Sequence, residues 1–144
     1  MKDWLTVSSK KTLTFAQFLV INSQLAKISD TWADLWVLIF YTGLGVGRLI
    51  DLRYTDIEGE AAYLREKGRL KAKQIELSAP VCTILKRRRM MYPQDIFVFQ
   101  SHSNRVKNKC SPVTIIAFNA ALRKASKLAT GGVVSSKNAR KVVC

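Results

Sequence analysis

Apolar positions recur with the spacing of helices along most of this chain, and with the spacing of strands only in one short middle segment. Phe15, Phe18, Leu19, Leu25 and Ile28 repeat at helical intervals, and Thr14 stands where an N-cap belongs. Ser29 or Asp30 caps a second helix. Its residues Trp32, Leu35, Trp36, Val37, Leu38, Ile39, Phe40 and Tyr41 are apolar on most sides, which predicts a helix buried at the centre of a domain. Gly43, Gly45 and Gly47 break that helix and let the backbone turn sharply. A short helix follows, with Val46, Leu49, Ile50 and Leu52 inward and Arg48, Asp51 and Arg53 outward.

After Asp56 the period changes. Ile57-Glu58-Gly59-Glu60 reads as a turn, Ala61 to Arg65 as a strand, Lys67-Gly68-Arg69 as a second turn, and Ala72 to Leu77 as another strand. With a strand around Thr55 to Ile57, this predicts two or three antiparallel strands. Ser78-Ala79-Pro80 starts a helix over Val81 to Met91, with Val81, Ile84, Leu85 and Met91 inward. Its cations Lys86, Arg87, Arg88 and Arg89 cover a full turn, so they form either a solvated face or a phosphate track.

Ile96 to Phe99 is a short apolar run, and Ser101 to Cys110 a basic loop. His102, the only histidine, has no evident partner there to orient it and reads as an exposed loop residue. Ser111-Pro112 starts the next helix, with Val113, Ile116, Ala117, Ala120, Ala121 and Leu128 as its stripe and Gly131-Gly132 as its stop. A last helix begins at Ser135-Ser136. Residues 1–11 read as a lead-in segment and 12–144 as a single domain. The fold class is α+β, mainly α-helical with a small antiparallel sheet.

Charge narrows the partner. Of 144 residues, 24 are basic and 10 acidic, a formal charge of +14, which points to a polyanion, with nucleic acid ahead of a membrane surface. Nearly half the residues are hydrophobic, enough to fold. Cys82, Cys110 and Cys144 are far apart and not in metal-ligand pairs, so no metal site is expected. The N-terminus has no apolar signal core, and Leu35 to Tyr41 is too short to span a bilayer. A cytoplasmic protein, bacterial or phage-encoded, with reduced thiols is the expectation.

One stretch carries a resemblance. Thr42-Gly43-Leu44-Gly45-Val46-Gly47-Arg48-Leu49, continuing to Leu52-Arg53-Tyr54-Thr55-Asp56-Ile57, resembles the signature of the tyrosine recombinase (phage integrase) catalytic domain. That family reads Thr-Gly-Leu-Arg-Ile-Ser-Glu-Leu and ends Leu-x-Trp-x-Asp-Ile. Lys137-Asn138-Ala139-Arg140 is similar to the family's second motif, His-x-x-Arg. The resemblance implies a DNA-binding fold used in DNA integration and site-specific recombination, on duplex DNA and alongside other protomers. It implies no metal and no small-molecule cofactor.

By the same resemblance Arg140 falls on the second catalytic arginine, Lys137 on the histidine and Lys67 on the hairpin lysine, with Lys71 close behind as the alternative. The first catalytic arginine is replaced by Gly45, and Arg48, one turn on, is the candidate substitute. Arg48, Lys67, Arg69, Lys71, Arg105, Lys107, Lys137, Arg140 and Lys141 are the expected DNA-contacting cations. In the family a tyrosine oxygen attacks the phosphodiester while two arginines fork onto the non-bridging oxygens. That tyrosine follows the second motif, whereas Tyr41, Tyr54, Tyr63 and Tyr92 all precede Arg140. The expectation is a partial catalytic domain that binds DNA and does not cleave alone. The alternative is a non-catalytic DNA-binding or regulatory module with the integrase fold.

Overall fold

The computed structural model describes residues 13–102, 110–140 and 142–143. In chain order the elements are β1 (Leu13–Thr14), α1 (Phe15–Ile28), α2 (Asp30–Thr42), α3 (Val46–Leu49), a 3-10 turn (Tyr54–Asp56), β2 (Ile57–Glu58), β3 (Ala61–Leu64), β4 (Lys73–Glu76), α4 (Ala79–Met91), α5 (Ile115–Thr130), α6 (Ser136–Ala139) and β5 (Val142–Val143). They fall into two compact units. One takes the described residues up to Val46 and from Thr114 onward; the other is residues 47–113.

In the first unit the expected caps start the helices. The Thr14 hydroxyl accepts from Gln17 N at 3.1 Å and the Gln17 side chain accepts from Thr14 N at 2.9 Å, a reciprocal capping box. Ser29, rather than Asp30, caps α2, accepting from Thr31 N. Phe18 stacks on Trp36 with centroids 5.4 Å apart, and Trp36 Nε1 donates to Phe18 O at 3.1 Å. Burying one indole that fully is worth roughly 4–6 kcal/mol as an upper estimate, because its polar atom is satisfied as well. α2 is less enclosed than its composition suggests: Leu35, Trp36, Leu38 and Ile39 are buried, while Tyr41 is nearly half exposed. β1 and β5 form a parallel pair, Leu13 opposite Val142 and Thr14 opposite Val143.

α5 departs from expectation in start and phase. Its N-cap is Thr114, which accepts from Ala117 N at 3.1 Å, not Ser111. Ser111 to Val113 is extended instead, with Ser101 N donating to Ser111 O and Val113 N to Phe99 O. Those backbone bonds remove the segment from the helix. The inward stripe becomes Phe118, Ala121, Leu122, Ala125 and Ala129, and the expected members Ile116 and Leu128 are exposed by 83% and 66%. Gly131, at φ 78°, stops the helix as expected.

The second unit holds the antiparallel sheet, in the order β2-β3-β4. Ile57 lies opposite Ala62, Ala62 opposite Ile75, and Leu64 opposite Lys73. Leu49, Leu52, Leu64, Leu77, Val81, Leu85, Val98 and Phe99 are among its buried apolar residues. α4 starts after Ser78 with Pro80 in its first turn. Its buried row is Val81, Leu85 and Arg88, so Met91, expected inward, falls off that row at the helix end and is exposed. Among the described residues no helix is long and apolar enough to cross a membrane.

Candidate functional site

In the second unit the hairpin between β3 and β4 carries the candidate lysines. Lys67 N and Leu70 N each bond the other's carbonyl at 2.9 Å, closing a tight turn. Gly68 sits at φ 57°, the left-handed value that primed hairpin turns require at the first central position. Lys67 Nζ donates to Gly47 O at 2.7 Å and pairs with Asp51 Oδ2 at 2.7 Å. Arg69 and Lys71 are exposed.

Arg48 does not point outward as its place in the pattern suggests. It is buried, and its Nη2 donates to Arg65 O at 3.4 Å and, at closer range, to Lys71 O. Those carbonyls flank the hairpin turn where the strands part, so the guanidinium satisfies acceptors that no strand partner supplies. Arg65 in turn forks onto Asp56, with Nη2–Oδ1 at 2.9 Å and Nε–Oδ2 at 3.4 Å. The hydrogen bond it donates to Asp56, then the charge of that carboxylate, raises the Arg65 guanidinium above its ordinary pKa. A cavity of about 260 Å³ lies here, lined by Arg48, Asp51, Arg53, Tyr63, Arg65 and Lys67 among others.

In the first unit Ser135 and Asn138 fix the short α6. Asn138 Oδ1 accepts from Ser135 N at 2.9 Å and from Ser135 Oγ at 3.1 Å. Lys137 and Arg140, three apart, are both exposed. Arg140 Nε donates to Gly43 O at 2.6 Å. Gly43 is the C-cap of α2 at φ 69°, so this cation meets a helix carbonyl end, which is the negative pole. Asn119, Arg123, Ser135, Ser136, Lys137 and Arg140 line an open groove of about 1040 Å³, and among the described residues no carboxylate lines it. Arg123 and Asn119 were not among the expected site residues. They lie on the exposed side of α5, which only the corrected phase of that helix reveals.

Gly45 has no left-handed backbone, and a Cβ built on it meets nothing within 4 Å. Neither backbone nor space demands glycine there. Arg105, Lys107 and Lys141 lie outside the described residues.

Two further corrections concern the second unit. His102 has an orienting partner after all: its Nε2 lies 2.7 Å from Asp95 Oδ2, and its ring stacks on Tyr92 at 4.3 Å. Gln100 Nε2 donates to Asp95 Oδ1, so the carboxylate is held from both sides. Of the four cations of α4, Lys86, Arg87 and Arg89 are exposed and Arg88 alone turns inward. Arg88 is fully buried, donates through Nε to Val98 O at 2.9 Å and lies over the rings of Tyr92 and Phe99. Arg89 donates to Asp95 O and covers the Tyr54 ring at 4.6 Å. Burial raises the Tyr54 hydroxyl pKa, the Arg88 charge opposes this, Asp95 adds to it, and Arg89 opposes it again.

No family model and no curated protein matches this chain. Solved structures do. The lambda integrase catalytic core matches with a TM-score of 0.74 at 16% identity over 90% of this chain and 78% of that one. A lambda integrase dimer bound to a COC′ core site gives 0.72 at 17% identity, covering 90% of this chain and 38% of that one. The XerH site-specific recombinase bound to its difH substrate gives 0.63 at 18% identity, covering 92% and 41%. In these two complexes the chain spans less than half the recombinase's length. The fold is that of the tyrosine recombinase catalytic domain, as the residues from Thr42 to Ile57 led one to expect.

Proposed function

We propose that this chain binds duplex DNA as part of a tyrosine recombinase-like protein serving DNA integration or site-specific recombination, with other protomers on the same DNA. The observation that carries the proposal is the groove of the first unit. Arg123, Lys137 and Arg140 converge there with no carboxylate among the described lining residues, in a fold shared with recombinases solved on DNA. Three cations with no counter-charge among the described lining residues favour a ligand that supplies one, and a phosphodiester backbone does so at regular intervals. Arg140 offers a planar fork to a phosphate. Lys137, where the family has histidine, offers an ammonium point charge with rotatable donors. In the second unit Lys67 is the hairpin cation read as meeting a phosphate, with Arg69 and Lys71 exposed beside it.

A second reading, a DNA-binding module with the fold and without the chemistry, is favoured by Gly45. Nothing in the fold forces the loss of a side chain there, so its absence reflects no packing need. Arg48 does not make up for it; its Nη2 already serves the hairpin carbonyls, which supports a role in holding the hairpin.

Fluorescence anisotropy with a labelled duplex, titrated across salt concentrations, tests the proposal. With about four to six phosphates neutralised, log K falls against log salt with a slope of about −4 to −5. A slope near zero, or no binding at low salt, refutes it.

A further inference from the structure

The hairpin lysine is already occupied by an anion of its own unit. Lys67 Nζ meets Asp51 Oδ2 and Gly47 O, each at 2.7 Å, and both charged side chains are a little under half exposed, 43% and 45%. The turn beneath them is fixed independently, by the Lys67–Leu70 backbone pair and by the Arg48 guanidinium on the Arg65 and Lys71 carbonyls. Removing Asp51 therefore leaves the hairpin and the Gly47 contact in place. Asp51 and Lys67 share the rim of the cavity that Arg48, Arg53 and Arg65 also line. To an ammonium, a carboxylate oxygen and a phosphate oxygen present the same kind of contact, a charged acceptor at about 2.7–2.9 Å.

We propose that Asp51 is an internal stand-in for a backbone phosphate. It holds the Lys67 ammonium until nucleic acid displaces it, so binding at this turn exchanges one ion pair for another while the Gly47 carbonyl keeps the lysine aimed. The inference rests on the DNA-binding reading above. Because the pair is partly exposed, its hold is weak, and the exchange costs about two- to fivefold in affinity rather than blocking binding.

Asp51→Asn, Lys67→Gln and the double variant test this with two measurements, folding being checked by circular dichroism and Asp51→Ser serving as a second variant. The first needs no DNA: the acetylation rate of Lys67 by an amine-reactive ester, read by peptide mass spectrometry against Lys86 as internal standard. Asp51→Asn should raise it about two- to fivefold. The second is the affinity for a fluorescent duplex at fixed salt. Asp51→Asn should tighten it by a similar factor, and the gain should vanish on the Lys67→Gln background. An unchanged acetylation rate overturns the stand-in whatever the DNA result. An equal gain with and without Lys67 also overturns it, since removing a negative charge then acts at long range. Faster acetylation with no DNA binding by any variant overturns the DNA reading and the phosphate role with it.

Discussion

Arg140 and Gly43 are joined by a 2.6 Å hydrogen bond from the guanidinium Nε to the carbonyl that caps α2. An arginine expected to serve only a phosphate is thereby tied to the glycine corner of its own unit. Arg140→Ala should weaken duplex binding by roughly 1–3 kcal/mol, the loss of a charged donor. It should also lower stability by under about 1 kcal/mol, because the bond is exposed and water replaces it. Anisotropy and thermal melts separate the two. A collapsed melting temperature with unchanged affinity per folded molecule would make the residue purely structural.

The two corner glycines should respond oppositely to a methyl group. Gly43 holds φ 69°, so Gly43→Ala should cost about 1–2 kcal/mol by urea denaturation even though its Cβ meets no neighbour. Gly45 is not left-handed, and Gly45→Ala should be neutral or stabilising by up to about 1 kcal/mol. Gly45→Arg should fold and bind DNA more tightly at low salt. Failure of that variant to fold would contradict the open space at this position.

Arg88 should matter to folding and Lys86, on the same helix, should not. Arg88→Met leaves the Val98 carbonyl without its buried donor, which costs roughly 1–3 kcal/mol, and Arg88→Lys loses the flat contact with Tyr92 and Phe99 as well. Lys86→Ala should change stability by less than about 0.5 kcal/mol. Equal midpoints for the Arg88 and Lys86 variants would refute the distinction.

Stability should fall at alkaline pH partly through Tyr54. Burial first, then Asp95, raises its folded pKa above the ordinary 10.0 against the opposing arginines, so the unfolded chain ionises earlier. The contribution is fully present below about pH 10 and is lost as pH rises through the folded value. Tyr54→Phe should flatten the decline in melting temperature above pH 10; an unchanged decline would assign it to other groups.

On a suicide duplex substrate the 144-residue chain should form no covalent adduct. Tyr54 lies under the Arg89 guanidinium, Tyr92 lies stacked on His102, and Tyr41 and Tyr63, like these two, precede the second motif. Gly45→Arg alone should not change this outcome. A phosphotyrosyl adduct mapped to any of the four would refute it, and Tyr63, which lines the cavity of Arg48 and Lys67, is the first place to look.

The features legible in advance were those written locally. Thr14, Gly43, Gly68 and Gly131 each announce a cap or turn through their own chemistry, and the strands around Ala62 and Ile75 through their alternation. What stayed hidden depended on distant backbone. Arg48 and Arg88 look like surface cations until the Arg65, Lys71 and Val98 carbonyls are brought to them. Likewise the start of α5 moved because Phe99 and Ser101 claim the backbone of residues 111–113. Asp95, a carboxylate with nothing around it in sequence to mark it, supplied the partner that His102 lacked.

The parallel pairing of Leu13 with Val142 has a consequence in time. Residues 47–113 form a continuous unit, whereas the other unit draws on both flanks of that stretch. A continuous segment needs shorter loop closures, and a discontinuous one must wait for its distant half. During synthesis the hairpin, its lysine and the Arg48 strut can therefore assemble while α1 and α2 still lack α5 and β5. The inner face of α1 and the Trp32 ring, which meets Phe118, stay incompletely covered until α5 arrives, and that interval is when the nascent chain is most exposed to aggregation.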